Sequence, residues 1–277
     1  MNALSVDVEG FAESNEESFS IPPSLCAPAD RDREVSRNMR VVLDLLASTG
    51  TLATFFFLGR IARDDPGLVK ETAAAGHEIG CHSEDHRRIF NLVPAEFAAS
   101  VRAARLRLED VSGSPVCGFR APDFSITKAS AWALDALQAA GFTYDSSIYP
   151  TSLHDVYGIA DAPRGIHRTT NGIVEFPLST VSIMGRAVPF GGGGYFRLYP
   201  LAFTEWLIRR ENAAGRPCMF YIHPYEVGPA IPSIPGLSRL RRFRHYHNCS
   251  SGADRLGFML RRVAFCPAVQ VLSLIHI

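Results

Sequence analysis

The sequence lacks several features that mark whole classes of protein. Lysine and arginine (28 together) balance aspartate and glutamate (28 together) over 277 residues, so no excess of one charge draws the chain to nucleic acid or to an anionic membrane. The longest apolar runs, Leu52–Leu58 and Val269–Ile277, fall well short of the ~20 residues that cross a bilayer. We therefore expect neither bulk binding of nucleic acid nor a transmembrane helix.

Cysteine is sparse and shows no paired pattern. The six cysteines are scattered without a CxxC motif, and several lie in apolar runs where a thiol behaves as a small hydrophobic group. The opening residues MNALSVD contain neither a basic segment nor an apolar stretch before a small-residue cleavage site. These absences predict a protein without a signal peptide in the reducing cytoplasm, either free or peripheral at the inner face of the membrane.

Strand and helix patterns alternate along the chain, which is 47% hydrophobic. Leu4–Val8 alternates apolar and polar residues, and Leu52–Leu58 is a continuous apolar run typical of a buried parallel strand. Between them the pattern predicts a helix that Ser36 caps and Gly50 stops. Further helices are predicted over 66–75, 94–111, 128–140 and 200–214, with strands over 77–81, 116–120, 142–144, 173–178 and 218–223. About seven such repeats favour an α/β fold, a distorted (β/α)7-type barrel.

The composition divides the chain into two parts. No linker-like stretch interrupts residues 1–230, which we expect to form one catalytic barrel. The segment Gly228–Gly236 contains three prolines and predicts a connection to a small C-terminal extension, residues 231–277, that packs on the barrel. The segment Phe11–Val35 is too long for an ordinary connection, so we expect a functional flap or partial disorder there.

Polar side chains at the carboxyl ends of the predicted strands are the candidates for chemistry. Asp7 and Glu9 are two residues apart, so the alternation of a strand places both carboxylates on one face. His82 and His86 are four apart, and on a helical turn two such imidazoles can bind one divalent metal. Either pattern alone also fits a solvated surface. Together they make a two-histidine, one-carboxylate set with positions left open for water and substrate. Zinc is the expected metal, although cobalt, nickel, manganese and iron suit the same ligands.

Three further strand ends carry polar residues. Arg120 ends the strand VCGFR, where it either clamps a carboxylate through two hydrogen bonds or lies on the surface without a role. Asp145 follows the strand FTY. His223 ends the apolar run CMFYI and is either a satisfied core histidine or a general acid.

Taken in order, these segments resemble the motifs of the polysaccharide deacetylase superfamily, also called the NodB-homology family or carbohydrate esterase family four. The resemblance covers about residues 1–230 and lies in the first-strand DVE, HSEDH, RAPDF, the strand-end Asp145 and IHP. The segments DVEG, YDSSIYP, PFGGGGYFRLYP, HPYE and FRHYHN are similar to deacetylases of exopolysaccharide and exosortase gene clusters, which carry an extra C-terminal domain. One departure is that the usual first motif has two adjacent aspartates, whereas here Val8 intervenes and Glu9 takes the later position.

The resemblance implies metal-dependent removal of N-acetyl groups from amino sugars of a polysaccharide or oligosaccharide, in exopolysaccharide production. It implies that Glu9, His82 and His86 hold the metal. Asp7 would then be the base that activates water, and His223 the acid that protonates the leaving amine.

The resemblance also assigns supporting roles. Arg120 would orient Asp7, and Asp145 would tune or orient His223. The run Gly191–Gly194 either is a flexible linker or lets the backbone approach a sugar on which Tyr195 or Phe196 stacks. The expected substrate-binding residues are Pro122, Asp123, Phe124, Tyr195 and Phe196.

Other functions remain compatible with parts of the pattern. One is a metal-independent amidohydrolase acting on a small amide or ureide, and another is a catalytically silent carbohydrate-binding barrel. An iron oxygenase uses the same triad, but its usual all-β fold conflicts with the strand–helix alternation. Asp85 could replace Glu9 as a metal ligand. The basic cluster Arg239, Arg241, Arg242 and Arg244 is typical of a solvated face, with an anionic glycan or membrane surface as the alternative partner.

Overall fold

A curled, mostly parallel sheet organises the chain in the computed structural model, which describes residues 1–19, 28–154, 157–229, 231 and 234–275. The strands of the described residues are β1 (Asn2–Val8), β2 (Thr54–Phe57), β3 (Glu78–Cys81), β4 (Gly118–Phe119), β5 (Tyr144–Asp145), β6 (His167–Arg168), β7 (Val174–Glu175), β8 (Thr180–Ile183), β9 (Arg186–Pro189), β10 (Met219–Ile222) and β11 (Phe265–Cys266). The sheet order is β10-β1-β2-β3-β4-β5-β7-β6, with β11 also paired to β1, while β8 and β9 form a separate hairpin.

Helices cover the outer face of the sheet and fill the connections. They are α1 (Phe11–Phe19), α2 (Pro28–Thr49), α3 (Gly59–Asp64), α4 (Pro66–Ala74), α5 (Pro94–Ser112), α6 (Ala133–Ala139), α7 (Gly193–Leu198), α8 (Leu201–Ala213), α9 (Pro224–Val227), α10 (Arg239–Tyr246), α11 (Gly252–Arg262) and α12 (Ala268–Ser273). The predicted α/β fold is confirmed, with the sheet curled into a half barrel. Among the described residues, no helix combines the length and the apolar character that crossing a membrane requires.

The alternation along β1 separates the two faces of the sheet. Leu4, Val6 and Val8 belong to the large apolar cluster that includes the helices. Ala3 belongs instead to a second cluster inside the curl of the sheet, together with Phe56 and other buried side chains. Because side chains alternate along a strand, Ser5 and Asp7 point to the same inner face as Ala3. The first strand therefore delivers its carboxylate to the interior of the barrel.

The C-terminal part of the chain contributes to the same sheet. The short strand β11 pairs with β1 through Asn2 and Ala3, and β10 pairs in parallel with Ala3 through Val6. The predicted proline-rich connection at Gly228–Gly236 lies partly outside the described residues.

Several predicted element boundaries are wrong. The helix α2 begins at Pro28 rather than after Ser36, and the Ser36 hydroxyl donates to Asp65 Oδ2 (2.8 Å) instead of capping it. The strands predicted over 116–120, 142–144 and 173–178 are only two residues long in the structure, as β4, β5 and β7. The predicted helix over 128–140 starts as a 3-10 turn, Lys128–Ser130, because Thr127 and Ser130 form a reciprocal capping box.

The segment Phe11–Val35, which we expected to be a flap or partly disordered, is largely helical in its described residues. The helix α1 occupies its first nine residues, and α2 covers it from Pro28 onward. Residues 20–27 lie outside the described part of the chain, so the prediction of a flap or partial disorder there is not tested.

Candidate active site

The first strand places two buried carboxylates at the mouth of the barrel. Asp7 is the last inward-facing residue of β1, and Glu9 follows just beyond the strand end. Each is only 2% exposed. A buried carboxylate needs hydrogen-bond donors or a cation to offset its lost hydration, so the neighbours of these two residues define the site.

The segment His82–His86 brings two histidines together, but not on the helical turn that the spacing predicted. Residues after β3 form an irregular loop in which Ser83 (φ 71°) and His86 (φ 62°) adopt the left-handed region. Residues other than glycine adopt that region at a cost, which often marks a functional site. The two left-handed residues turn the chain back, so that the His82 and His86 ring centroids lie 5.3 Å apart.

Glu9 and the two histidines converge on one point. Glu9 Oε2 lies 2.6 Å from His86 Nε2 and 3.2 Å from His82 Nε2. One ligand atom from each of the three residues lies within 4.8 Å of the others. This is the donor set of a catalytic divalent-metal site with open positions.

The hydrogen bond behind His82 supports that assignment. His82 Nδ1 lies 2.8 Å from the Arg120 carbonyl oxygen, which can only accept, so Nδ1 carries the hydrogen. In the neutral ring, Nε2 then presents a lone pair to the Glu9 carboxylate. Two acceptors facing each other require a cation or a proton between them. A metal ion satisfies this arrangement, and a backbone carbonyl behind the histidine is the usual outer-shell partner of a metal-ligating imidazole.

The charges of the cluster reinforce one another. Burial favours a raised pKa for Glu9, but His86, His82 and His223 outweigh it and hold the pKa of Glu9 well below its usual range. Burial would lower the pKa of His86, but the Glu9 carboxylate raises it to about 9. A metal ion and a proton compete for the same imidazole nitrogen.

Arg120 holds Asp7 from behind. Its side chain is fully buried, and Nη1 donates to Asp7 Oδ1 (2.7 Å) and to the Ser5 hydroxyl (2.6 Å). Nε and Nη2 donate to the carbonyl (3.0 Å) and hydroxyl (2.8 Å) of Ser146. The guanidinium also lies 4.4 Å from the centre of the Phe56 ring. These contacts hold Arg120 in place, and Arg120 in turn holds one oxygen of Asp7 beside the cluster of Glu9, His82 and His86.

His223 approaches the cluster from the opposite side. Its Nε2 lies 3.3 Å from Glu9 Oε1, and its Nδ1 lies 3.0 Å from Glu226 Oε2. Burial would lower the pKa of His223, but Glu226, then Glu9 and Asp7, raise it to about 9. Tyr225 stacks on the His223 ring at a centroid distance of 5.1 Å.

Glu226 is the residue that sequence reasoning missed. Burial would raise its pKa, but His223 and Arg197 lower it to about 2. The available signal was the spacing H-P-x-E, in which a proline opens a helix and a glutamate three residues after the cap completes a capping box. Here the reciprocal bonds of that box form between His223 and Glu226.

Asp145 does not partner His223, which corrects the expectation. Its Oδ1 accepts from the Ser147 hydroxyl (2.5 Å), and its strand neighbour in register is Glu175. Burial raises the pKa of Asp145 to about 6. Burial and the neighbouring Asp145 raise the pKa of Glu175 well above its usual range. The reason is topological: β5 delivers Asp145 to Ser147 and β7, whereas the helix that follows β10, α9, brings Glu226 to His223.

An open cleft of about 390 Å³ leads to this cluster. Of the predicted substrate-binding residues, Asp123, Phe124 and Tyr195 line the cleft. Pro122 is buried at the start of a 3-10 turn and does not line it. Phe196 is wrong as a stacking residue, because it is buried and packs on Phe220 at 5.2 Å between centroids. Tyr195 and Phe196 are consecutive residues of α7, and consecutive side chains of a helix point about 100° apart, so Tyr195 faces the cleft while Phe196 faces the core.

The glycine run is not a flexible linker, because it packs against β10 and continues into α7, and two of its residues, Gly193 and Gly194, line the cleft. Tyr221 N donates to Gly191 O (2.8 Å), so the run lies against β10. A Cβ atom on Gly192 would lie 1.9 Å from the Tyr221 carbonyl oxygen, and its φ of +140° also favours glycine. The glycines therefore let the chain press against the strand that carries His223.

Two other sequence candidates are also located. Asp85 is exposed and forms an ion pair with Arg87 (3.0 Å), so it does not join Glu9, His82 and His86. Of the basic cluster, Arg241 lies at the edge of the cleft together with His245 of the same helix, α10. The basic helix is thus part of the cleft wall and more than a solvated face.

Two family models match the chain. The polysaccharide deacetylase model matches residues 30–144, and a domain of unknown function, DUF3473, matches residues 146–273. Residues 30–144 thus match the polysaccharide deacetylase family, and the half-barrel fold and the His–His–carboxylate cluster are consistent with that match. The sheet and the cleft both draw residues from the two matched regions.

Two relatives with deacetylase activity in their names match parts of this chain. A chitooligosaccharide deacetylase of Azorhizobium caulinodans is 34% identical over 82 residues, which are 29% of this chain and 39% of the relative. A peptidoglycan N-acetylglucosamine deacetylase of Listeria monocytogenes is 28% identical over 153 residues, 52% of this chain and 33% of the relative. The matches therefore span well under half of each of these relatives.

Solved structures share the fold at low identity. A putative polysaccharide deacetylase from Mycobacterium smegmatis has a TM-score of 0.60 at 20% identity, covering 98% of this chain and 88% of that one. An allantoinase has a TM-score of 0.63 at 13% identity, with the same coverage of both chains. At these identities the likeness concerns the fold alone.

Proposed function

We propose that this protein hydrolyses N-acetyl groups of amino sugars in a polysaccharide or oligosaccharide. The observation that carries the proposal is the convergence on Glu9 of His82 and His86, with Asp7 on one side and His223 on the other. A base and an acid that flank a metal-type cluster in an open cleft suit amide hydrolysis, because an amine leaves poorly without protonation. The named deacetylase relatives support the same reaction.

Glu9, His82 and His86 would hold one divalent ion, with zinc as the preferred metal for this ligand set. When bound, the ion would supply Lewis-acid polarisation of the acetamide carbonyl and a lowered pKa for water. The longer arm of Glu9, compared with the usual aspartate, reaches both histidine nitrogens in this fold. The departure from the family motif therefore preserves the three-residue set.

The chain's own residues supply the proton transfers. Asp7, held by Arg120, accepts a proton from the attacking water. His223 faces the cleft from the other side and gives a proton to the amine nitrogen as the carbon–nitrogen bond breaks. Phe124 and Tyr195 offer aromatic surface to the sugar rings along the cleft. We further propose cytoplasmic action on an exopolysaccharide precursor.

The test combines metal analysis with acetate release. We expect about one divalent transition metal per chain in the purified protein, lost in a His82→Ala/His86→Ala double variant, by plasma mass spectrometry. Metal-loaded wild type should release acetate from N-acetylated chitooligosaccharides, and the double variant should not. An Asp85→Asn variant is the matched control and should keep the metal, since its carboxylate pairs with Arg87.

Two results would reject the proposal. Hydrolysis of a small ureide by metal-free protein, without acetate release from any glycan, would identify a metal-independent amidohydrolase. Glycan binding without any hydrolysis in the metal-loaded protein would identify a carbohydrate-binding barrel.

A further inference from the structure

Glu226 lies behind His223 with both carboxylate oxygens engaged. Oε2 accepts from His223 Nδ1 and from the His223 backbone N–H, each at 3.0 Å. Oε1 accepts from Arg197 Nε at 2.8 Å. Glu226 is 1% exposed. The carboxylate therefore links the imidazole at the cleft to an arginine deeper in the fold.

A buried charge of this kind is not explained by stability. Taking a carboxylate and a guanidinium out of water is unfavourable, and their mutual attraction offsets this only in part. Apolar side chains of similar size would therefore stabilise the fold at least as well. A neutral side chain could accept the same backbone N–H bond as a helix cap. The Glu226 carboxylate contacts the His223 ring, and that ring faces the cleft.

The DUF3473-matched region supplies the whole assembly. Arg197 lies on α7, and its carbonyl accepts from Asn248 Nδ2 (2.8 Å) in the segment after α10. Arg197 Nη1 also contacts the His245 carbonyl and lies 3.3 Å from Cys249 Sγ. The C-terminal segment thus fixes Arg197, Arg197 fixes Glu226, and Glu226 fixes His223.

We propose that Glu226 is the positioning residue of the general acid, the role that the sequence assigned to Asp145. By accepting the Nδ1 hydrogen, it holds the ring with Nε2 directed into the cleft. This inference rests on the proposed deacetylase function.

The proton transfer balances with these groups alone. Nε2–H of the His223 imidazolium gives its proton to the amine nitrogen, which takes the electron pair of the breaking carbon–nitrogen bond. His223 becomes neutral and retains Nδ1–H on Glu226. The proton that Asp7 took from water returns through solvent to Nε2 before the next turnover.

The experiment compares two leaving groups in Glu226→Gln. An amide substrate, N-acetylated chitooligosaccharide, needs protonation of the leaving nitrogen, whereas 4-nitrophenyl acetate releases a stable phenolate without an acid. We expect kcat for the amide to fall about 100-fold with little change in KM, and kcat for the ester to change by less than about threefold. Glu226→Asp should recover part of the amide rate.

The matched control is Glu211→Gln. Glu211 is a buried glutamate that is also held by two arginines, Arg164 (2.7 Å) and Arg216 (2.6 Å), but it does not line the cleft. Its replacement should leave the amide-to-ester rate ratio unchanged. Equal loss of both rates in Glu226→Gln would show a structural role and overturn the proposal, as would full amide activity.

A second readout separates this inference from the proposed function. The Nδ1–H proton of His223, bonded to a carboxylate, should give a downfield NMR signal that disappears or moves upfield in Glu226→Gln and persists in Glu211→Gln. That result in a protein releasing no acetate would support the positioning of His223 while rejecting the deacetylase assignment. An unchanged signal in Glu226→Gln would overturn the positioning.

Discussion

The two sides of the cleft each contain a buried carboxylate held by a buried arginine, but they use it differently. On one side Arg120 holds Asp7, which itself faces the cleft. On the other side Arg197 holds Glu226, which acts on the cleft through His223. We call these the base side and the acid side. Similar ion pairs thus support a reacting carboxylate in one place and an oriented imidazole in the other.

The sharpest way to separate the two sides is to remove each proton-transfer group. Asp7→Asn should lower amide and ester hydrolysis alike, by about 10⁴-fold, because both reactions need an activated water. His223→Ala should lower only amide hydrolysis to a similar extent. Initial rates on N-acetylated chitooligosaccharide and 4-nitrophenyl acetate, with glycan binding measured by calorimetry, test this difference. Strong loss of ester hydrolysis in His223→Ala would remove the distinction between the sides.

The two arginines should differ in their effect on stability. Arg120→Met leaves the buried Asp7 without its cation, so we expect a loss of about 3–5 kcal/mol in the free energy of unfolding. Arg197→Met should cost less, about 1–3 kcal/mol, because Glu226 keeps its bond to His223. Urea unfolding followed by circular dichroism measures both values. Equal losses would contradict the view that His223 shares the charge of Glu226.

The smallest effect concerns the carboxyl pair Asp145 and Glu175, beside the base side. Burial raises the pKa of both, that of Asp145 to about 6, so the folded chain holds protons that the unfolded chain releases. Their stabilising contribution is full below about pH 4 and declines as pH rises through the folded pKa. Between pH 5 and pH 8 we expect the wild type to lose about 1–2 kcal/mol more than Glu175→Gln.

Urea unfolding at the two pH values measures that difference, with Glu211→Gln as the control. Parallel pH dependence in the wild type and Glu175→Gln would contradict the raised pKa of Glu175.

Much of the base side follows from sequence, because strand alternation alone determines that Asp7 and Glu9 share a face. The grouping of His82 and His86 also follows from their spacing, although the local structure of the segment does not. A four-residue spacing suggests a helix, whereas the loop here closes through left-handed Ser83 and His86, a conformation that residues other than glycine adopt uncommonly. The tertiary contacts with Glu9 and with the Arg120 carbonyl select it.

The acid side was less predictable. Whether Asp145 or Glu226 reaches His223 depends on how far β5 and β10 extend and how the sheet curls between them, and neither is encoded in a local pattern. Phe196 failed for a similar reason, since an aromatic residue after a glycine run suggests a binding platform until the rotation of α7 is known. The capping-box spacing of His223 and Glu226 was local and readable, but it indicates helix geometry without indicating chemistry.

The pairing of β1 has a consequence for the order in which the molecule folds. This strand carries Asp7, yet it lies between β2 and β10 and also pairs with β11, which follows more than 250 residues later in the sequence. Contacts between distant parts of a chain form late, because the intervening loop must first close. During synthesis, β1 therefore has an unpaired edge until the C-terminal strands leave the ribosome. The base and the acid meet only when folding is nearly complete, so partly made chains hold no working cleft.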